Sequence, residues 1–178
     1  MKYIISIILF LVIAVCLLLS ITLFRNQAHV FTSPGVVERL KVYFTQNSVQ
    51  TSEQNRFPEL RSAVFPVGSA RLYRAVQAAL VELGWSQSPS FEFHTHEHLI
   101  NAIVTSPVFK FKDDVVIVVH DQRCEQGTLQ STLDMRSSSR IGRGDLAANA
   151  GHVQTLFAQV ALELDHQAPA RPQSPQCK

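Results

Sequence analysis

The sequence lacks a long basic run and a recognisable cysteine pattern. Its net charge is +2 and no five Lys or Arg residues are consecutive, which disfavours a nucleic-acid partner. Cys16, Cys124 and Cys177 show no metal-ligand spacing, so no zinc site is predicted. Cys124 and Cys177 could pair in an oxidising compartment or remain two free thiols. Phosphate-loop, dinucleotide and nucleophile-elbow motifs are also missing, and we predict no cofactor, no metal and no catalytic residue.

Charge is absent from one long N-terminal stretch. Tyr3 to Phe24 is 22 residues without a charge, bracketed by Lys2 and Arg25. As a helix it would span about 33 Å, against about 30 Å for the hydrocarbon core of a bilayer. A cleaved signal peptide has a shorter apolar core, of about 7–15 residues, and small residues before the cut. We therefore predict that residues 1–25 form a single transmembrane anchor, with a signal sequence as the alternative.

The charges around this segment give conflicting signals about its orientation. Lys2 and the α-amine favour a cytoplasmic N-terminus, whereas Arg25, Arg39 and Lys41 favour the opposite orientation. A two-residue head followed by a long domain is typical of a signal anchor. We predict an inner-membrane protein with its domain on the extracytoplasmic side.

The rest of the chain divides by composition into three parts. Residues 26–46 are mixed in character and are predicted to be a linker containing a short helix at Val36 to Phe44. Residues 47–167 carry the regular apolar patterns of a folded domain. Residues 168–178 are rich in Pro, Gln and Ser, and are predicted to be a disordered tail.

Within residues 47–167, two helical patterns flank a run of strand patterns. Ala70 to Leu83 has helical spacing, with Ser69 as a cap and Gly84 at its end. Val115 to Val119 is an unbroken apolar run, typical of a central strand. The last helical stripe begins near Val153, with Asn149 as its cap. We predict an α+β domain: an antiparallel sheet of three to five strands with two helices packed on one face.

A polar stretch from Asp134 to Asp145 follows the last predicted strand. It contains three arginines, Arg136, Arg140 and Arg143, together with three serines and two glycines. Glycines allow backbone N–H groups to form an anion-binding concavity, and arginine binds phosphate or carboxylate in a bidentate manner. The same composition is also typical of a structural loop in which polar side chains satisfy the backbone.

A register argument connects this stretch to Asp114. If inward-facing residues of the two strands are matched, Val115 lies opposite Met135 and Asp114 lies opposite Arg136. This alignment predicts a cross-strand ion pair that braces the arginine loop or orients Arg136 toward a ligand.

Three alternating histidines, His94, His96 and His98, would share one face of a strand. Such a face could bind a transition metal, but it would also be the solvent face, since the apolar Phe91 and Phe93 alternate with it. We favour the solvent-exposed interpretation.

Two stretches carry a family resemblance. The first includes Phe111-Lys112-Asp113-Asp114-Val115 and Arg136-Ser137-Ser138-Ser139-Arg140-Ile141-Gly142-Arg143-Gly144-Asp145, followed by Asn149. The second is Asn47-Ser48-Val49-Gln50-Thr51. They resemble the bacterial and plastid family named domain of unknown function 1499, over about residues 42–165, with Ser48 in place of a cysteine that the family often has. The resemblance implies a secreted or membrane-associated protein. It also implies that seven residues act as one cluster: Asp114, Arg136, Ser137, Arg140, Gly142, Asp145 and Asn149.

These observations favour a non-enzymatic, membrane-anchored binding or accessory module of the cell envelope. Its partner would be an anionic group near Arg136, Arg140 and Arg143, or an envelope protein. One alternative is a hydrolase that uses Asp114 or a histidine as base. Another is a protein-interaction module that uses an exposed sheet face around Val116 and Val118.

Overall fold

The structure, a computed structural model, describes residues 2–88, 97–107, 109–123 and 129–166. In chain order, its helices and strands are α1 (Lys2–Arg25), α2 (Val36–Thr45), β1 (Ser48–Gln50), β2 (Ala63–Phe65), α3 (Ser69–Glu82), β3 (Ser86–Ser88), β4 (Glu97–Thr105), β5 (Lys112–Arg123), β6 (Leu129–Ser139) and α4 (Ala148–His166). A single 3₁₀ turn, Pro58–Leu60, lies between β1 and β2.

The first helix, α1, contains the apolar N-terminal segment. It has 24 residues, none of them buried, and it is long and apolar enough to cross a membrane. An N-terminal signal sequence meets the same criteria of length and composition.

The strands form one antiparallel sheet in the order β1-β6-β5-β4-β3, and β2 also pairs with β6. The predicted α+β class with an antiparallel sheet is confirmed. The sheet has six strands where three to five were predicted. The additional strands β1, β2 and β3 are three residues each, too short to show a period of two in the sequence.

One face of the sheet is covered by α3 and α4, as predicted. Side chains of β5 and β6 point alternately toward the helices and away from them. Five of those that point toward the helices are at most 1% exposed: Val115, Ile117, Val119, Leu133 and Met135. They pack against fully buried residues of the two helices, among them Leu72, Val76, Leu80, Val153, Leu156 and Val160. This layer is the hydrophobic core.

The predicted register between β5 and β6 is wrong by two residues. Met135 lies opposite Ile117 rather than Val115, and Asp114 lies opposite Ser138 rather than Arg136. A shift of two leaves every side chain on the same face, so apolar alternation cannot distinguish the two registers. The difference extends β6 through Ser139, and the three serines predicted to lie in a loop are strand residues.

The segment predicted to be a linker is packed against the domain. After α1, Asn26 Nδ2 donates to the Leu146 carbonyl at 2.8 Å, and Gln27 Nε2 donates to Thr155 Oγ1 at 3.1 Å. The predicted helix in this segment is present as α2, and its buried residues include Arg39. We call residues 26–35 the connector. The predicted tail 168–178 and the strand pattern at Phe91 and Phe93 lie outside the described residues.

Candidate functional site

The structure separates the candidate residues into two sets, one exposed to solvent and one packed between the sheet and α4. The outer set is exposed to solvent and consists of Asp114, Arg136, Arg140, Gly142 and Arg143. The inner set lies between the sheet and α4 and consists of Ser137, Asp145 and Asn149. Neighbouring residues of one motif therefore have different surroundings, because adjacent side chains of a strand point to opposite faces.

In the outer set, the ion pair of Asp114 is formed with Arg140. Arg140 Nε donates to Asp114 Oδ2 at 2.9 Å, and Nη2 donates to Oδ1 at 2.6 Å, a bidentate arrangement. The predicted partner, Arg136, lies opposite Val116. The prediction of an ion pair at Asp114 therefore named the wrong arginine, because the predicted register between β5 and β6 was wrong.

This pairing affects what Asp114 can do chemically. The hydrogen bonds from Arg140 lower the pKa of the Asp114 carboxyl, and the opposing effect of burial does not reverse this shift. A carboxylate that holds its proton less strongly than usual is a weaker general base at neutral pH. The geometry therefore disfavours Asp114 as the base of a hydrolase.

The two other arginines of the outer set are unpaired. Arg136 and Arg143 are exposed, and the side chain of neither makes a hydrogen bond or ion pair to another of the residues that the structure describes. Gly142 lies between Arg140 and Arg143 with φ +97°, a conformation that favours glycine, and its carbonyl accepts from Asn47 Nδ2 at 2.8 Å. The glycine and Asn47 fix the path of the turn that presents these side chains.

Asn149 is the centre of the inner set. It is fully buried, and its Nδ2 donates to the Asn47 carbonyl at 2.8 Å, to Ser139 Oγ at 3.0 Å and to Asp145 Oδ2 at 2.6 Å. Its Oδ1 accepts from Ser137 Oγ at 2.5 Å. One amide thus joins β6, the residue before β1 and the start of α4, which is a structural role.

Asp145, rather than Asn149, caps the last helix. The Asp145 carboxylate accepts from the backbone N–H of Ala147 at 2.9 Å and from that of Asn149 at 3.1 Å. The predicted cap at Asn149 is wrong, because α4 begins one residue earlier, at Ala148. Burial raises the pKa of Asp145, against the opposing effect of the hydrogen bonds from Asn149 and the backbone. The backbone donors that an external anion could use are therefore bound by a carboxylate of the chain itself.

His152 and Asp113 join the inner set, although neither was among the predicted site residues. His152 Nδ1 lies 3.2 Å from Ser137 Oγ and 3.8 Å from Asp113 Oδ2. The Trp85 ring meets the imidazole edge-on at 5.7 Å. Burial lowers the pKa of His152, although the negative charge of Asp113 opposes this shift. The sequence did contain a signal for both residues, since each is polar but occupies a core position. Asp113 is two residues before Val115 and so points to the same face of β5, and His152 precedes the buried Val153.

This trio does not have the geometry of nucleophilic catalysis. Ser137 and Asp113 approach the same imidazole nitrogen, so the ring cannot relay a proton from one to the other through its two nitrogens. Ser137 is also fully buried and donates to Asn149, which keeps a substrate away from its oxygen. We interpret the trio as a buried polar network.

A second buried polar contact joins the segment after α1 to the domain. Arg39 is fully buried, and its Nη1 lies 2.5 Å from Glu59 Oε1 and 3.0 Å from the Tyr43 hydroxyl. Its other donors reach the carbonyls of Thr32 and Ser33. This cluster was not predicted, because the mixed composition of residues 26–46 indicated a linker. The available signal was the helical spacing of Arg39 with Val42 and Tyr43.

Concave space near these residues is small. A cavity beside α2 holds about 10 Å³, room for about one water molecule, and its lining includes Tyr43, Glu59 and Asp145. Asp114 does not line it. This cavity is too small for a substrate.

The remaining predictions concern metals, cysteines and the outer sheet face. Within the described ranges, no group of three or more metal-ligand side chains is close enough to hold a metal ion. The predicted face of His94 and His96, and the possible pair of Cys124 and Cys177, lie outside those ranges. Val116 and Val118 lie on the face opposite the core, as predicted, and are half-buried.

Comparison with known protein families identifies the motif region. The family described as "Protein of unknown function (DUF1499)" matches residues 41–160, more than half of the chain. The chain belongs to this family. The matched DUF1499 region begins inside α2, so it contains both the inner and outer sets but excludes α1, the connector and Arg39. A search of curated proteins found no match.

Proposed function

We propose that this DUF1499 protein is a single-pass membrane protein whose domain is a non-enzymatic binding or accessory module of the cell envelope, with an anionic group as the ligand of its outer set. The observation that carries the proposal is the pair of exposed arginines, Arg136 and Arg143, which have no ion-pair partner among the described residues. A free guanidinium binds phosphate or carboxylate through two parallel hydrogen bonds.

The inner set supports this proposal by contrast. Asn149 and Asp145 satisfy one another and nearby backbone groups, so they have little capacity left for a ligand. Arg140 is already bound to Asp114. Anion binding by this motif therefore depends on Arg136 and Arg143 more than on Arg140.

Calorimetry on the full-length protein in detergent tests the anion site, with inorganic phosphate and citrate as probes. We expect Arg136→Ala and Arg143→Ala to weaken binding of at least one probe. Arg74→Ala, which removes an exposed arginine from α3, is the matched control and should bind as the wild type does. Unchanged binding in both outer-set variants would contradict the proposal.

The placement of the domain is tested separately. We propose that α1 remains as an anchor in the inner membrane and that the domain lies on the extracytoplasmic side. Protease added to intact spheroplasts should then remove a C-terminal tag, and the α1 segment should stay in the membrane fraction after alkaline extraction. A tag that is cleaved only after lysis would place the domain in the cytoplasm.

The outer sheet face favours a second candidate function, a protein-interaction surface. Val116 and Val118 are half-buried there, and Val64 on β2 is 50% exposed. Lysine at Val116 would disrupt an apolar interface without entering the core. Loss of a defined envelope complex in Val116→Lys, with phosphate binding unchanged, would favour this second function over the first.

A further inference from the structure

The connector fixes the start of α4 next to the end of α1. Asn26, the first residue after α1, donates from Nδ2 to the carbonyl of Leu146. A Cβ added to Gly151 would lie 2.7 Å from the carbonyl oxygen of Asn26, so only a glycine allows this approach. His29 adds a contact from its Nε2 to Gln154 Oε1 at 2.7 Å. The domain is therefore held directly at the end of α1 by several contacts rather than by a loose tether.

The turn that leads into α4 carries an exposed arginine, Arg143. Arg143 is three residues before Leu146, so their Cα atoms are at most about 11 Å apart. Arg25, the last residue of α1, is also exposed and immediately precedes Asn26. Two guanidinium groups without a partner among the described residues thus lie at the end of the domain where α1 meets it.

An exposed apolar side chain lies in the same turn. Ile141 is 67% exposed and stands between Arg140 and Gly142, where the chain reverses. An aliphatic side chain close to an unpaired arginine such as Arg143 is suited to a bilayer surface: the aliphatic group enters the acyl-chain boundary, and the arginine reaches back to the phosphates.

We propose that the turn Ile141–Arg143, together with Arg25, binds the surface of the bilayer that contains α1, with lipid phosphate as the anionic ligand of Arg143. This inference rests on the proposed function, since it requires α1 to be a membrane anchor. It assigns the anion of the outer set to the headgroup layer rather than to a soluble solute. Anionic lipid should strengthen the contact, by about fivefold for each basic residue at the surface.

Depth-dependent quenching tests this contact in the full-length chain in nanodiscs. Ile141→Trp in a Trp85→Phe background places one tryptophan at the turn. Bromine-labelled acyl chains quench the fluorescence of this tryptophan only if it reaches the acyl-chain boundary. Val64→Trp in the same background is the matched control. Val64 is also exposed, but it lies opposite Thr132, seven residues along β6 from its last residue, Ser139, or about 23 Å.

We expect the tryptophan at 141 to be quenched in discs containing phosphatidylglycerol and the tryptophan at 64 to remain unquenched. Adding Arg143→Glu should reduce the quenching, whereas Arg143→Lys should largely retain it. Quenching that persists when inorganic phosphate replaces chloride at equal ionic strength supports lipid phosphate as the ligand. If phosphate abolishes it, free phosphate is the ligand and the inference is overturned.

Two further outcomes separate this inference from the proposed function. If the chain stays in the discs after alkaline treatment but position 141 is no more quenched than position 64, the anchor stands and the contact of the turn with lipid is refuted. If the chain leaves the discs, the anchor and this inference both fail. In that case, an anion site would still be supported if the protein bound phosphate in detergent and Arg143→Ala lost this binding.

Discussion

Two arginine–carboxylate pairs of this protein have nearly equal lengths and contrasting surroundings. Arg39 and Glu59 lie 2.5 Å apart with side chains 0% and 8% exposed, whereas Arg140 and Asp114 lie 2.6 Å apart with side chains 44% and 52% exposed. Exposed pairs contribute little to stability because water and salt screen them, but breaking a buried pair leaves a charge without compensation. The motif that identifies the family contains the exposed pair. The buried pair is one of the contacts that hold the segment after α1 against the domain.

Electrostatics within the buried pair support this contrast. Burial lowers the pKa of Arg39, but hydrogen bonds to Glu59 and Tyr43 outweigh it and the net shift is upward. Burial likewise raises the pKa of Glu59, and the bonds from Arg39 reverse the effect, so the net shift is downward. Stability from Glu59 is therefore present above its ordinary pKa of about 4.3 and is lost as the pH falls through the lowered pKa of the folded state.

Replacing the buried arginine should have the largest effect. Arg39→Leu should lower the free energy of unfolding by about 3–5 kcal/mol, since Glu59 would stay buried without its partner. Urea unfolding of the full-length chain in detergent, followed by Trp85 fluorescence, measures this change. Arg140→Leu is the control and should unfold close to the wild type. Equal losses in the two variants would remove the distinction between the pairs.

The next contrast is between Gly151, which has backbone atoms of Asn26 close to it, and Gly68, which has more space around it. Gly151→Ala should destabilise by about 1–3 kcal/mol, because its Cβ would collide with the Asn26 backbone and displace the connector. In Gly68→Ala the new Cβ would meet only Leu129 Cδ1, at 3.5 Å, so little change is expected. Limited proteolysis should show faster cleavage after Arg25 in Gly151→Ala. Unchanged cleavage would show that the connector is not held by this contact.

Protonation of His152 should make the stability of the protein depend on pH, with a smaller effect than the two substitutions above. Because burial lowers its pKa in the folded state, the unfolded chain binds this proton more readily below pH of about 6.5. Stability should therefore decrease as the pH falls from about 6.5 toward the lowered pKa. Thermal unfolding of His152→Gln should lose this part of the pH dependence, and the exposed control His166→Gln should keep it. A pH profile unchanged by His152→Gln would argue against a buried neutral imidazole.

The smallest effect should come from the exposed carboxylate of the motif. Asp114→Ala removes a bidentate partner at the surface, where the expected cost is at most about 1 kcal/mol. The same variant releases Arg140, so phosphate binding in detergent should increase or stay unchanged. A large loss of stability measured by urea unfolding would mean that the outer pair is structural.

The sequence predicts the layers of this fold better than its contacts. Alternation of Val115, Ile117 and Met135 identifies the buried face, because a strand has a period of two. The same period permits a register shifted by two residues, and this ambiguity gave Asp114 the wrong arginine. Arg39 was missed because a charged side chain is usually exposed, and the carboxylate that compensates its charge, Glu59, comes 20 residues later.

The candidate site was predicted as one cluster, and a single motif does contain its residues. Ser137 and Arg136 are neighbours in sequence, but the sheet places one in the core and the other in solvent. The position of Asn149 between β6 and the start of α4 depends on packing of elements far apart in the chain. Local sequence patterns do not specify that packing.

Two adjacent serines of the motif test the division into inner and outer sets most directly. Ser137 is buried and bonded to Asn149, whereas Ser138 is on the outer face with no side-chain hydrogen bond to a described residue. Urea unfolding of the full-length protein should show Ser137→Ala less stable than the wild type by about 1–3 kcal/mol, and Ser138→Ala within about 0.5 kcal/mol of it. Equal losses, or a larger loss for Ser138→Ala, would contradict the division.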